Sequence, residues 1–471
     1  MMPELPEVET VVRTLEHQLG QPTIAAVHVY WPHIIARPSA ARFAKLLCGR
    51  RIVGYGRRGK FLIFSLSSGT LVAHMRMEGK FYVYPSATER DKHTHVVFDL
   101  VDGRQVHYND TRKFGRMWLY EDGQAITALD ELGYEPWDPE LTGDRLHAFC
   151  RHKRLPFKTM LLDQSMIAGI GNIYADEISF SVGIDPCRPA CMVSARQWDD
   201  VIDNTRRILT QAISDGGTTI RSYTSSLGVT GRFQQHLMVH SRQGEACHDC
   251  GQTIVKTFVN GRGTCYCPRC QHPTPAVIGV TGTIGSGKST FMGYIAATGA
   301  PTISCDDINR QLLEEPLVTG RLASMLGCQV QQVDRTYIAA RIYKDEKLRH
   351  MVETYLHDLI DQRLQQWYQE HADAKVVYVE VPLLFESGWW RRFSCNVLLM
   401  APRRQIEGRL TAQRGLDRQQ IEDIVAAQMD QDAKKKLADV VIVNNGTLDR
   451  LAGQAAKLAA GLAGIMDGKV D

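Results

Sequence analysis

Over the first 135 residues, hydrophobic positions occur in brief runs or alternate with polar ones. Brief apolar or alternating runs predict β-strands, among them 24–31, 60–66, 95–100 and 116–120. Residues 7–19 differ, because their apolar positions recur with helical spacing up to Gly20, a typical helix end. We therefore expect a β-sandwich-like domain at 1–135 that opens with one helix.

Three regions with other patterns follow. Helical periodicity, as in 175–182 and 195–213, predicts a helical domain over 136–238. A small cysteine-containing module follows at 239–272, and the proline-rich stretch 271–276 marks the main boundary. Beyond it, strand-like runs alternate with amphipathic helices, which predicts an α/β domain with a parallel sheet at 276–471.

Composition and charge narrow the class of protein. The 471 residues are 44% hydrophobic and 23% charged, as in multidomain globular proteins. We find no apolar run of about 18 residues and no secretory signal, so we expect a cytoplasmic protein without a membrane span. Residues 1–274 carry 32 basic and 28 acidic side chains, and the remainder 23 and 24. Nucleic-acid binding would therefore need a local basic patch.

Four of the twelve cysteines form two paired knuckles. Cys247, Cys250, Cys267 and Cys270 have the spacing C-x2-C-x16-C-x2-C, which is typical of one tetrahedral Zn²⁺. Four thiolates leave no open position on the metal, so we predict a structural zinc, with Cys265 outside the ligand set. Arg262, between the knuckles, is a candidate phosphate contact.

Three segments of the first 272 residues resemble formamidopyrimidine-DNA glycosylase. They are MPELPEVET at the start, GNIYADE at 171–177 and RGTCYCPRCQ at 262–271. The resemblance implies excision of oxidised purines, such as 8-oxoguanine and formamidopyrimidines, from damaged double-stranded DNA, followed by strand cleavage. In this family the nucleophile is an N-terminal proline, which matches Pro3. Glu4 matches the acid that assists ring opening, Glu7 a supporting carboxylate, and Lys60 the lysine that contacts phosphate at the lesion.

The same resemblance implies a set of DNA-binding residues. When a damaged base is flipped out of the duplex, other groups must fill the gap that it leaves in the base stack. Met77, Arg112 and Phe114 match the residues that fill this gap in the family, which we call the wedge. Asn172 matches a residue that binds backbone phosphate. Residues 219–233 match the loop that closes over the flipped base.

A phosphate-binding loop lies in the C-terminal half. Residues 282–289, GTIGSGKS, follow a strand-like run and precede a helical pattern, the context of a Walker A loop. Gly282, Gly285 and Gly287 let backbone N–H groups approach phosphates. Lys288 neutralises phosphate charge, and Ser289, followed by Thr290, offers a hydroxyl to Mg²⁺ bound with ATP.

Further segments resemble dephospho-CoA kinase over about 276–465. They include CDDINRQLLEE at 305–315, VPLLFES at 381–387 and ADVVIVNNG at 438–446. The resemblance implies phosphorylation of the ribose 3′-hydroxyl of dephospho-CoA by ATP. It makes Asp306 the base for that hydroxyl, with Asp307 as the rival, and it places Arg409 and Arg414 where they could clamp phosphates.

The sequence therefore predicts two enzymes in one chain. One alternative is a DNA-binding module without glycosylase activity, because the chain begins Met-Met-Pro and removal of one methionine does not free Pro3. A second alternative makes the C-terminal half a nucleotide or nucleoside kinase.

Overall fold

The computed structural model describes residues 2–218, 232–343, 345–426 and 428–468, the side chains of 413 and 414 excepted. It divides the chain into two compact units. The first comprises Met1–Phe149, Leu155–Cys187 and Trp198–His272. The second comprises Cys150–Arg154, Arg188–Gln197 and Pro273–Asp471.

Two sheets form the N-terminal part of the first unit, with strand orders β1-β7-β8-β6 and β2-β9-β5-β4-β3. Their apolar faces share one core, in which Phe64 of one sheet packs edge-on against Phe81 of the other. The predicted sandwich-like fold is confirmed. The elements are α1 Leu5–Leu19, β1 Ile24–Val29, β2 Ile35–Arg37, α2 Ala40–Leu47, β3 Ile52–Arg58, β4 Phe61–Leu66, β5 Thr70–His74, β6 Lys80–Tyr84, β7 Thr94–Leu100, β8 Gln105–Asn109 and β9 Arg116–Tyr120.

Helix α1 begins at the residues that matter most for the site. Its apolar stripe, at Val8, Val11, Val12 and Leu15, is buried against the sandwich. The helix begins after Glu4, whose backbone N–H donates to the Glu7 carboxylate in a capping box. Burial of the stripe and this cap together fix the first turn of the helix.

A helical region and a hairpin complete the first unit. The hairpin strands pair antiparallel around a two-residue turn, Asn260 and Gly261, which both have the positive φ that such a turn requires. The elements are α3 Gly143–Cys150, α4 Phe157–Leu161, α5 Asn172–Ser181, α6 Ala195–Ser214, β10 Val255–Val259 and β11 Arg262–Tyr266.

The second unit is built on a five-stranded sheet in the order β13-β14-β12-β15-β16, with every pair parallel. The sheet is flanked by helices, so the predicted α/β domain is confirmed. The elements are β12 Ala276–Gly282, α7 Lys288–Ala296, β13 Thr302–Ser304, α8 Cys305–Leu312, α9 Pro316–Leu326, α10 Arg335–Ile342, α11 Glu346–Glu370, β14 Val376–Glu380, β15 Cys395–Met400, α12 Arg403–Arg414, α13 Arg418–Ala426, α14 Gln431–Leu437, β16 Val440–Val443 and α15 Leu448–Met466.

The sheet's topology places the candidate site. The strand order reverses beside β12, so the carboxyl ends of β12 and β14 flank a crevice of the kind in which open α/β sheets bind ligands. Among the described residues, no helix is both long and apolar enough to cross a membrane.

Candidate active sites and metal centre

The first candidate site is the turn that precedes α1. Pro3 and Glu4 are both buried. The Glu4 carboxylate accepts hydrogen bonds from the backbone N–H groups of Ile173, at 2.9 Å, and Tyr174, at 3.4 Å, in the first turn of α5. The amino end of a helix favours negative charge, so α5 holds this carboxylate in place.

Two glycines allow the approach of α1 to α5. A Cβ on Gly171 would lie 2.3 Å from the Glu4 carboxyl carbon, and one on Gly169 would lie 2.5 Å from the Leu5 side chain. Gly169 also has a φ of +102°, which strongly favours glycine. The sequence motif GNIYADE therefore encodes both the cap for Glu4 and the space beside it.

A buried lysine lies beside this carboxylate. Lys60 is 5% exposed, and its Nζ donates to the Ile170 carbonyl at 2.8 Å. Burial lowers the pKa of Lys60, and the negative charges of Glu4 and Glu7 oppose that shift. Burial raises the pKa of Glu4 to about 7, against the opposing charge of Lys60. Glu4 is thus able to hold or release a proton near neutral pH.

His74 is a neighbour of this site that the sequence analysis missed. Its Nδ1 accepts the backbone N–H of Arg76 at 2.9 Å. Burial, followed by the positive charges of Arg76 and Lys60, lowers the pKa of His74 to about 3, so the ring is neutral at physiological pH. The chain has 16 histidines, and nothing in the sequence around His74 distinguishes it from the others.

The three predicted wedge residues lie together at the surface. Arg112 Nη1 is 3.1 Å from the Met77 sulfur, and its guanidinium lies 4.8 Å from the centre of the Phe114 ring. Phe114 is 48% exposed even with the Arg112 guanidinium beside its ring. The loop is shaped by Asp110, whose carboxylate accepts the backbone N–H groups of Arg112 and Gly115. The sequence analysis did not identify Asp110.

The two predicted phosphate contacts lie on different elements. Asn172 is on α5, and Arg262 is on the β10–β11 hairpin. Asn172 begins α5, and its Nδ2 donates to the Gly263 carbonyl at 3.1 Å. Its Oδ1 is buried and has no hydrogen-bond partner within the described part of the chain. Arg262 is exposed, and its positive charge contributes to the lowered pKa of Lys60. The hairpin thus brings a second cation toward the Glu4–Lys60 pair.

A buried ion pair between α4 and α5 also holds the hairpin. Lys158 Nζ lies 2.7 Å from Asp176 Oδ1 and donates to the carbonyl of Gly263 and the hydroxyl of Thr264. His240 Nδ1 is 2.7 Å from the other Asp176 oxygen. Because both charges are fully buried and paired, removal of one partner would leave an uncompensated charge.

The four paired cysteines form a metal site. All four Sγ atoms lie within 4.8 Å of one another, with 3.9 Å between Cys247 and Cys270 and 3.4 Å between Cys250 and Cys267. A tetrahedral zinc with Zn–S bonds of about 2.3 Å would separate its sulfurs by about 3.8 Å. The set therefore fits zinc, and Cys265 lies outside it.

Substitution of a zinc ligand should remove the metal and weaken DNA binding while kinase activity is retained. In Cys250→Ala we expect loss of the one zinc per chain and at least a tenfold loss (about 1.4 kcal/mol) of DNA affinity, because a module this small depends on its metal to fold. Elemental analysis and fluorescence anisotropy measure the two effects. Cys265→Ala, the matched control, should keep its zinc. Loss of kinase activity together with the zinc would contradict independent folding of the two units.

The second candidate site is a cavity of about 400 Å³ at the carboxyl ends of β12 and β14. It is lined by the phosphate-binding loop and by residues from five other segments. The polar residues and glycines of the lining are Gly285, Gly287, Lys288, Ser289, Thr290, Asp306, Glu380, Arg409, Gln428 and Asn444.

The phosphate-binding loop has the geometry that its sequence predicts. Lys288 begins α7, and its Nζ donates to the Gly282 and Thr283 carbonyls at 2.9 and 3.3 Å. Gly287 has a φ of +97°, and a Cβ on Gly282 would lie 2.3 Å from the Leu399 carbonyl oxygen. Only glycine fits these positions without strain, which is what a loop whose backbone approaches phosphate requires.

Glu380 is the acidic residue of this cavity that the sequence analysis missed. It ends the buried strand β14, and its carboxylate lies 3.5 Å from the Ser289 hydroxyl. Burial raises its pKa, against the opposing charge of Lys288. A hydroxyl and a carboxylate are oxygen donors of the kind that Mg²⁺ prefers. An acid at the end of an apolar strand, VVYVE, was the available signal.

The two rival aspartates have different surroundings. Asp306 lines the cavity, whereas Asp307 forms an ion pair of 2.8 Å with Arg310, one turn along α8. Arg409 Nη1 donates to the Gly285 and Ser286 carbonyls, at 3.1 and 3.4 Å. The side chain of Arg414 and residues 219–231 of the predicted loop lie outside the described residues.

The fold and the two sites define a chain of two enzyme units, a DNA glycosylase-like unit followed by a P-loop kinase unit. Family models match in the same order: the formamidopyrimidine-DNA glycosylase N-terminal domain at 2–117, its H2TH domain at 132–224, the zinc finger found in FPG and IleRS at 244–273, and dephospho-CoA kinase at 276–450.

Individual relatives agree with these matches. The formamidopyrimidine-DNA glycosylase of Shouchella clausii is 46% identical over 277 residues, 58% of this chain and all of the relative. That of an Exiguobacterium species is 47% identical over 273 residues, 57% of this chain and 99% of the relative. The Lactococcus lactis Fpg in complex with abasic-site DNA has a TM-score of 0.54 at 35% identity, and covers 57% of this chain and 99% of its own.

The chain belongs to the formamidopyrimidine-DNA glycosylase family through its first 273 residues, and a dephospho-CoA kinase domain follows in the same polypeptide. The predicted zinc and the predicted Mg²⁺ with ATP are confirmed by the cysteine cluster and the two domain matches. The roles of individual site residues remain predictions.

Proposed function

We propose that the first unit binds damaged double-stranded DNA, excises oxidised purines and cleaves the strand through a Schiff base on Pro3. The observation that carries this proposal is the buried Pro3–Glu4 turn, which is capped by α5 and faces Lys60. The DNA complexes of the Lactococcus lactis enzyme support it. We also propose domains at 1–135, 136–238, 239–272 and 276–471.

In this proposal the Pro3 nitrogen attacks the sugar C1′ while the bond from C1′ to the base breaks. Glu4, with its pKa near 7, donates the proton that sugar-ring opening requires. Ring opening leaves an iminium between the Pro3 nitrogen and C1′. This iminium accepts electrons during the elimination that cuts the strand. The Pro3 nitrogen must be a free amine, so Met1 and Met2 must be absent from the active form.

Recognition of DNA is divided between two groups of residues. The exposed cluster of Met77, Arg112 and Phe114 is placed to fill the gap left by a flipped base. Asn172, Arg262 and Lys60 supply phosphate contacts, which position the duplex without reading its sequence.

The second unit transfers the γ-phosphoryl group of ATP to the 3′-hydroxyl of dephospho-CoA. Lys288, Arg409 and Arg414 neutralise the transferring phosphate, and Ser289 holds Mg²⁺. Asp306 accepts the proton of the attacking hydroxyl, because it faces the cavity while Asp307 is paired with Arg310. Both sets of substrates fit a cytoplasmic location.

Separate substitution of the two neighbouring aspartates tests which of them is the catalytic base. Asp306→Asn should lower kcat for dephospho-CoA phosphorylation by about 10²–10⁴ while ATP binding changes little, since the carboxylate faces the acceptor. Asp307→Asn is the matched control and should be nearly silent. The assignment is wrong if the two variants exchange these effects, or if both retain normal activity.

Both activities can be measured on one purified full-length chain, with the N-terminus defined by intact mass. We expect excision of 8-oxoguanine from duplex DNA and phosphorylation of dephospho-CoA. A chain with Met2 still attached that binds damaged DNA without cutting it would favour the alternative of a DNA-binding module.

A further inference from the structure

We propose that Tyr174 is a positioning residue for base excision, which acts by holding Glu7 and, through Glu7, the Pro3–Glu4 turn. The proposal rests on the proposed function of this site. Tyr174 belongs to the motif GNIYADE, and its side chain takes no part in the chemical steps proposed for Pro3 and Glu4.

The contacts form a continuous hydrogen-bonded path. The Tyr174 hydroxyl donates to Glu7 Oε1 at 2.8 Å. The other Glu7 oxygen, Oε2, accepts the backbone N–H of Glu4 at 2.9 Å. The Glu7 carboxylate therefore connects the α5 tyrosine to the peptide group that immediately follows Pro3.

A third element joins the same carboxylate. The backbone N–H of Thr218, beyond the end of α6, donates to Glu7 Oε1 at 2.7 Å, and the Thr218 hydroxyl is 3.2 Å from the Tyr174 hydroxyl. Glu7 thus accepts three hydrogen bonds, from α5, from Glu4 just before its own helix and from the chain after α6. Because Glu7 is 6% exposed, these donors stand in for water.

Tyr174 reaches both carboxylates of the site. Its backbone N–H faces Glu4, while its side chain holds Glu7. Burial and the charge of Glu7 raise the pKa of Tyr174 well above its ordinary value, so the hydroxyl keeps its proton and donates a hydrogen bond to Glu7. Its ring packs 5.6 Å from that of Phe233, which fixes its orientation. These features describe a residue that orients other groups rather than one that exchanges protons with substrate.

Tyr174→Phe tests the proposal, because it removes one hydroxyl and keeps the ring. We expect the single-turnover rate of 8-oxoguanine excision to fall about tenfold to a hundredfold, the range for a hydrogen bond to a charged group. The Kd for duplex DNA that contains a tetrahydrofuran abasic analogue should change less than about twofold. Tyr55→Phe is the matched control, since the buried Tyr55 hydroxyl has no partner in the described part of the chain.

A double-mutant cycle with Glu7→Gln separates positioning from a general structural effect. If Tyr174 acts through Glu7, Tyr174→Phe should cost little further activity in the Glu7→Gln background. Additive losses, or a loss of DNA affinity that parallels the loss of rate, would overturn the proposal. If Tyr174→Phe unfolds below the assay temperature, Glu7→Gln alone must show the same loss of rate with unchanged DNA binding, or the proposal is wrong.

The outcomes also separate this proposal from the proposed function. A wild-type chain that excises no base contradicts the function itself. A wild-type chain that excises normally beside an equally active Tyr174→Phe variant contradicts only the positioning role.

Discussion

Lys288→Ala is expected to abolish the phosphorylation of dephospho-CoA and to leave base excision unchanged. Lys288 begins α7 within the phosphate-binding loop and lines the cavity that we propose as the ATP site. Preorganised charges of this kind contribute about 3–4 kcal/mol to transition-state stabilisation, so we expect kcat to fall by about 10²–10³. Coupled assays of ADP release and 8-oxoguanine excision on the same preparation measure both activities.

The matched control is Lys457→Ala, which removes an exposed lysine from α15, outside the cavity lining. It should phosphorylate dephospho-CoA at the wild-type rate. An active Lys288→Ala variant would refute the role of the loop. A wild-type chain that binds ATP but phosphorylates only nucleotides would refute the substrate, while the phosphate-binding site itself would stand.

Glu4→Gln is expected to reduce base excision and strand cleavage by about 10²–10⁴, the usual contribution of a positioned acid or base. Burial raises the pKa of Glu4 to about 7, and the acid form is the one that can donate a proton. As the pH rises through 7 that form is lost, so in the wild-type chain the proton-donating step should slow above neutrality. The glutamine variant should lack this decline, which a pH profile of single-turnover excision measures.

Glu9→Gln provides the control, because Glu9 lies on the same helix in ion pairs with Arg13 and Arg57, outside the Glu4 pocket. We expect it to retain both the rate and the pH profile of the wild-type chain. A Glu4→Gln variant that keeps the wild-type decline above neutrality would assign that titration to another group.

Local patterns predicted much of the fold. The helix before Gly20 and most strands of the sandwich lie where apolar spacing placed them, and so do the parallel strands after the proline-rich boundary. The three-residue strand β2 and the helix α2 were missed. Strands β6 and β8 were also missed, since β6 is mostly half-buried and shows no clear alternation. Such elements depend on neighbouring strands for their stability more than on their own pattern.

Candidate site residues could be predicted where they lie close together in one sequence motif, as in the cysteine knuckles and the loop GTIGSGKS. Residues that act through distant partners could not be found in this way. Asp110 shapes the wedge loop, Glu380 meets Ser289 from another strand, and His74 is identified by its surroundings alone. The pairing of Glu4 with α5 joins residues about 170 positions apart, which no local pattern reveals.

Reduction of the enzyme–DNA complex with borohydride tests the covalent role of Pro3. The purified chain is incubated with an 8-oxoguanine duplex, reduced and digested, and the cross-linked peptide is sequenced by tandem mass spectrometry. We expect the reduced adduct on the nitrogen of Pro3, at the N-terminus of a chain that has lost Met1 and Met2. An adduct on Lys60 or on another lysine would contradict this role.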